Sequence, residues 1–158
     1  MALNVWPTDN SYPSLLTAET ISGVRAVQVD TSGHLRIAMP SVSGRMPAVG
    51  IVADNVASGI SVIPQIIGLV QFPNGGSGQT VDFSGAIGSR IWVGPSGQLI
   101  TSVGARWTGD GSGGWLSGSS MQPLGIVVNS GGVILNVIPM VYSGSISSGW
   151  NLLQPGVF

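Results

Sequence analysis

Met46 to Pro64 reads MPAVGIVADNVASGISVIP, and Met121 to Pro139, 75 residues further on, reads MQPLGIVVNSGGVILNVIP. The methionine, the Gly-Ile-Val triplet and the closing Val-Ile-Pro stand at the same offsets, seven identities in nineteen positions without a gap. Val49/Leu124, Asp54/Asn129 and Ile60/Leu135 are conservative pairs. A second echo precedes each copy: Ser32-Gly33-His34-Leu35 before the first, Ser96-Gly97-Gln98-Leu99 before the second. Self-similarity of this kind marks a tandem duplication and defines the structural unit. The step from that serine to the methionine is 14 residues in the first copy and 25 in the second, so the second half carries eleven extra residues. Arg106 to Ser120, RWTGDGSGGWLSGSS, is where they fall.

Around the repeat the chain reads as short strands. Val27 and Val29, then Leu35, Ile37 and Met39, alternate with polar neighbours about Thr31-Ser32-Gly33, the pattern of a hairpin with one buried face. Val49, Ile51 and Ala53 form the next strand, and Ile60 and Val62 another, stopped by Pro64. Ile66 to Phe72, Thr80 to Phe83, Ile91 to Val93, Leu99 to Thr101, Leu124 to Val128 and Val133 to Val141 complete about ten segments. Pro-Asn-Gly-Gly, Pro-Ser-Gly and Asn-Ser-Gly-Gly lie between them and supply the positive-φ residues of tight turns. No run has a helical period. The expected fold is all-β, a compact β-barrel or sandwich of about ten short strands in two duplicated halves, about 24–83 and 84–142, with an insertion loop at 103–120.

Both ends depart from this pattern. Residues 1–23 read as an extended N-terminal arm, because Pro7 and Pro13 break regular structure and Val5, Trp6, Tyr12, Leu15 and Leu16 follow no period. One helical turn in Ser14 to Thr20 is compatible with the sequence. Residues 143–158 read as a polar Ser-Gly linker and a hydrophobic tail, Trp150-Asn-Leu-Leu-Gln-Pro-Gly-Val-Phe158. Exposed apolar ends invite aggregation unless they dock. Trp6, Tyr12, Trp150, Leu152, Leu153 and Phe158 are therefore candidate docking residues, on their own subunit or on a neighbour.

Charged residues make up 7% of the chain against a usual value of roughly 25%, while 43% are apolar. A free monomer ordinarily keeps soluble with mixed surface charge. Here there are five Arg, no Lys, five Asp and one Glu, which points to a surface largely covered by other subunits. A net charge of −1 without a basic cluster argues against nucleic acid, whose binding needs several cations to displace phosphate counterions. The absence of Cys removes disulfides and thiolate chemistry. MALNVWPTDN has no basic region followed by an apolar run, so no secretory signal is expected, and no apolar stretch approaches the ~18 residues of a membrane helix.

Little in the sequence looks catalytic. Gly109-Asp-Gly111-Ser-Gly-Gly114 satisfies GxGxxG but lies in the inserted loop, not between a strand and a helix. Gly75-Gly-Ser-Gly-Gln79-Thr80 resembles a phosphate loop but lacks its lysine. His34, the single histidine, sits in a turn at the position of Gln98, with Asp30 and Ser32 as ordinary turn neighbours. Asp54 is matched by Asn129 and followed by Asn55, side chains that bond nearby backbone N–H groups in turns. Paired carboxylates and calcium-loop spacing are absent, so neither a metal nor a cofactor nor an enzymatic activity is expected. Trp107 and Trp115 bracket the insertion with Asp110 between them, a composition suited to packing the loop base, stacking on a sugar or anchoring a partner.

The order of aliphatics and turn glycines in Val27 to Ala38, Pro47 to Val52, Ser58 to Ile63, Ile87 to Leu99 and Pro123 to Val128 resembles the small capsid decoration, or cement, proteins of tailed bacteriophages. The resemblance spans Val24 to about Val141. It implies a compact β-barrel-like domain, often trimeric, that sits on capsomer junctions of the virion, contacts the major capsid protein and stiffens the shell without catalysis. Ser89 stands where such proteins often carry Asp, and the arm and the Trp-bearing tail lie outside the shared pattern. A head spike, fibre-attachment or tail component, recognising glycan or another virion protein through the Trp107 to Trp115 loop, is the alternative.

Overall fold

The computed structural model describes residues 14–72, 83–101 and 120–143. Among them are twelve short strands, one 3-10 turn at Pro95–Gly97 and no α-helix. The described residues are all-β, in four antiparallel sheets. The largest has five strands, in the spatial order Ile67–Gln71 (β6), Gly132–Asn136 (β11), Pro123–Asn129 (β10), Arg90–Val93 (β7) and Leu99–Ile100 (β8). A three-stranded sheet places Arg25–Val29 (β2) between Leu35–Ile37 (β3) and Gly50–Val52 (β4). Two strand pairs complete the set: Leu15–Leu16 (β1) with Ser61–Val62 (β5), and Ser120–Met121 (β9) with Tyr142–Ser143 (β12). No closed barrel forms among the described residues.

Positions matched in sequence also pair alike. Val29 opposes Leu35 as Val93 opposes Leu99, and Val27 opposes Gly50 as Ile91 opposes Gly125. Gly33 (φ +81°) and Gly97 (φ +72°) take the same left-handed place between the paired strands, which glycine adopts without a Cβ penalty. The correspondence extends beyond the matching sequence. Ile21 exchanges backbone hydrogen bonds with Val56, and the Phe72 N–H donates to the Gly131 carbonyl, at the matched positions 56 and 131. By the same register Leu16 pairs with Ser61 and Ile67 with Asn136. β6 therefore pairs within the second half, although it precedes the division at residue 84 that the sequence suggests.

The end of the segment expected to be an arm is part of the fold. Residues 14–21 form no helical turn. They run as strand and bridge, with Ile21 fully buried. Buried Thr17 donates its hydroxyl to the Ala57 carbonyl (2.7 Å), and Glu19 accepts from the Ile37 N–H (2.7 Å) and from Arg45 (2.5 Å). Scattered Leu15, Thr17 and Ile21 show no sequence period because only some of the residues between them pair, so one short strand and two isolated bridges replace a regular element.

Two apolar clusters follow. In the first half Ile21, Val27, Leu35, Val52 and Val56 pack with Leu15 and Val62 beneath the β1–β5 pair. The opposite face of that sheet, Ala26 and Ile51, joins a larger core with Ile91, Val93, Leu124, Val127, Val133 and Leu135 of the five-stranded sheet. The expected one-faced hairpin is thus buried on both faces, Ala26 and Gln28 being as inaccessible as Val27. Fully buried Gln122 ties the halves: its amide nitrogen donates to the carbonyls of Ala48 (2.7 Å) and Ile138 (2.9 Å), and its oxygen accepts from the Ala48 N–H (2.7 Å).

Candidate interaction surface

The face of the five-stranded sheet turned away from the core is apolar. Strand pairing sets Leu69 of β6 beside Ile134 of β11, Ile134 beside Ile126 of β10, and Ile126 beside Arg90 of β7. Directly opposed side chains on one sheet face lie about 5 Å apart, so these four form a row across four strands. Ile67 stands two residues from Leu69 on the same face. Exposures are 61% for Ile67, 67% for Leu69, 50% for Ile134 and 49% for Ile126. Burying the exposed halves of such side chains contributes about 1 kcal/mol each.

Local sequence explains how the row arises. β10 and β11 contain Gly-Ile-Val-Val and Val-Ile-Leu, apolar at consecutive positions, so both faces of each strand carry hydrophobes. Val127, Val133 and Leu135 point into the core, and Ile126 and Ile134 point out. Gly125 lets the hairpin close, since a Cβ there would collide with the Ile134 carbonyl oxygen. The matched Gly50 serves the same end against a different neighbour, a Cβ there meeting the Gln65 carbonyl oxygen at 2.8 Å.

The margins of the row are polar. On one side Gln71 donates its amide to Asn129 Oδ1 (3.0 Å), which also accepts from the Gly131 N–H (3.0 Å). On the other, Arg90 lies 5.7 Å from the centre of the Trp92 ring, a cation–π distance. Arg90 is the one charged side chain among the described residues of β6, β7, β10 and β11. A shallow groove of about 370 Å³ opens elsewhere, lined by Pro40, Ser41, Val42, Ser43, Gly44, Met46, Ser120 and Val141, none of them titratable.

The turn residues behave as turn residues. Asp30 Oδ1 accepts from the N–H groups of Ser32 (2.8 Å) and His34 (2.9 Å). Those bonds, the one from His34 foremost, hold the Asp30 carboxyl below its usual range. Asn55 bonds at longer range than expected, its Oδ1 accepting from the Gly23 N–H at 2.7 Å. Among the described residues no three His, Asp or Glu side chains cluster as metal ligands, and no helix is long and apolar enough to cross a membrane.

Trp6, Tyr12, Trp150, Leu152, Leu153 and Phe158, and the loop residues Trp107, Asp110 and Trp115, all lie outside the described residues. The exposed row was not singled out by the sequence reading, which treated its residues as strand interior. The available signal was apolarity at both odd and even positions of a strand in an antiparallel sheet, where one face normally stays polar. No protein-family model matches the sequence, and no curated protein is detectably similar to it.

Proposed function

We propose that this chain is a structural protein of a tailed-bacteriophage virion, a decoration protein that binds the assembled head through the major capsid protein and stabilises it. The observation that carries this reading is the bare row Leu69-Ile134-Ile126, a sheet face built like a core and left open to solvent. Contiguous apolar surface on a chain with 7% charged residues is a surface meant to be covered. The resemblance described above supplies the kind of partner, and its trimeric, capsomer-junction placement on the outside of the shell is part of the proposal. In the same reading the two duplicated halves make one compact, barrel- or sandwich-like body, made in the host cytoplasm, that acts by adhesion. Catalysis, cofactors, nucleic acid and lipid have no role in it.

Repetition supplies affinity. Each contact of ordinary size covers ~800 Å² per partner, and many symmetry-related copies make the attachment multivalent. The hydrophobic tail from Trp150 extends the contact. The test mixes purified protein with capsids lacking it, separates bound from free by sedimentation, and heats the particles. Stoichiometric binding and a higher disruption temperature are expected, because a ligand of the assembled state stabilises that state by mass action. Truncation before Trp150, or Ile126→Asp with Ile134→Asp, removes binding while the domain stays folded. Binding at a few unique sites replaces this reading with a portal, tail or spike component. Failure to bind, with loss of cell adsorption on replacing Trp107 and Trp115 by Ala, replaces it with host recognition.

A further inference from the structure

We infer that the open edge of β6 pairs with the same edge of a second copy of this chain, antiparallel and centred on Leu69, so that two five-stranded sheets become one. Among the described residues β6 is the outermost strand of its sheet and pairs only with β11. The Phe72 N–H donates to the Gly131 carbonyl and the Val137 N–H to the Ile66 carbonyl, so the even-numbered residues of this segment face β11. Antiparallel pairing alternates sides, which turns the N–H and C=O groups of Ile67, Leu69 and Gln71 to the open side. Among the described residues nothing bonds to them there.

Edges of this kind are ordinarily blunted by charge, proline or shortness. β6 is five residues long, Ile67-Gly-Leu-Val-Gln71, without a charge or a proline. Gly68 takes φ +100°, and the register with β11 continues unbroken through it. The outward set is self-complementary: a two-fold axis at Leu69 sets Leu69 against Leu69 and Ile67 against Gln71, each residue exchanging N–H and C=O with its opposite. The same axis joins the two apolar rows side by side. A net charge of −1 puts no appreciable repulsion between copies. Occupation by a second copy is favoured over another protein because the strand matches itself in register, length and charge. An antiparallel pair is two-fold, so it leaves room for a three-fold contact made by a different surface.

The protein has no cysteine, which makes register directly testable. Hydrogen-bonded antiparallel pairs stand about 5.5 Å apart at Cα, within reach of a disulfide. Under mild oxidation the full-length Leu69→Cys variant is expected to form a covalent dimer at least about tenfold faster than Val42→Cys, an exposed control far from β6 in sequence. Ile67→Cys and Gln71→Cys are expected to cross-link when mixed and not separately. Leu69→Lys sets two like charges on the axis, and sedimentation should show about tenfold or more weaker association with the fold intact by circular dichroism. Equal cross-linking rates for Leu69→Cys and Val42→Cys, or Leu69→Lys with unchanged association, overturn the pairing. The measurement needs no capsid, so its failure leaves head binding to be judged separately.

Discussion

Ile51 and Ile126 occupy the same place in the two copies of Gly-Ile-Val, yet Ile51 is completely buried and Ile126 is 49% exposed. Their neighbours differ in the same sense. Ala26, which opposes Ile51, is buried in the shared core, whereas Arg90, which opposes Ile126, lies at the margin of the open face. The halves pack head to tail. The back of the first sheet lies on the front of the second, the front of the first is covered by β1 and β5, and the back of the second is left over. A repeat that stacks in this way has a terminal face with the chemistry of an internal one. The bare row is thus the counterpart, in the second copy, of a face that is packed in the first, and its retained hydrophobes are what the proposed capsid contact would use.

Substitution at the matched isoleucines tests this contrast most directly. Ile51→Ala should destabilise the domain by about 2–5 kcal/mol through lost burial and a cavity, while Ile126→Ala should cost less than about 1 kcal/mol in the free protein. Urea unfolding of both variants measures the difference, and equal losses would show that the second face is covered after all. Next in size is Gln122→Ala. It strands the Ala48 N–H and two carbonyls, and about 3 kcal/mol is expected from unpaired buried groups. Pro47 holds the matched position in the first copy and has no side-chain amide, so it cannot make the equivalent bonds.

A smaller effect belongs to the first half alone. Burial raises the Glu19 carboxyl, but the Arg45 guanidinium and the Ile37 N–H outweigh it and hold the group below its ordinary 4.5. A depressed acid contributes stability above its unfolded pKa and loses it as the pH falls through the folded one. The domain should therefore weaken below about pH 4.5. Glu19→Gln should cost about 1 kcal/mol at neutral pH, discounted for partial exposure, and flatten that acid limb. Thermal melts at several pH values would reveal it, and an unchanged acid limb would remove Glu19 from the account. Smallest is Gln71→Ala at the rim, where an exposed amide pair is worth about 0.5 kcal/mol or less.

Much of the architecture was legible. Period-two runs at Val27 to Val29 and Leu35 to Ile37, and the turn glycines Gly33 and Gly97, locate the hairpins because side-chain alternation and positive φ are local requirements. Leu15 and Leu16 were not legible as β1, since a two-residue strand has no period and draws its order from Val62 and Ser61, far along the chain. The run Val133 to Val141 overstated β11, which ends at Asn136 where β6 can no longer accompany it, only the Val137 N–H still reaching the Ile66 carbonyl.

By itself the sequence determined that this protein is all-β, repeated, nearly uncharged and poor in reactive groups, because composition, spacing and backbone preference are properties of the chain alone. Which of the two matched isoleucines, Ile51 and Ile126, is core and which is surface was decided by tertiary structure. Burial depends on what packs against a face, and among the described residues only the first copy has a neighbour on both sides.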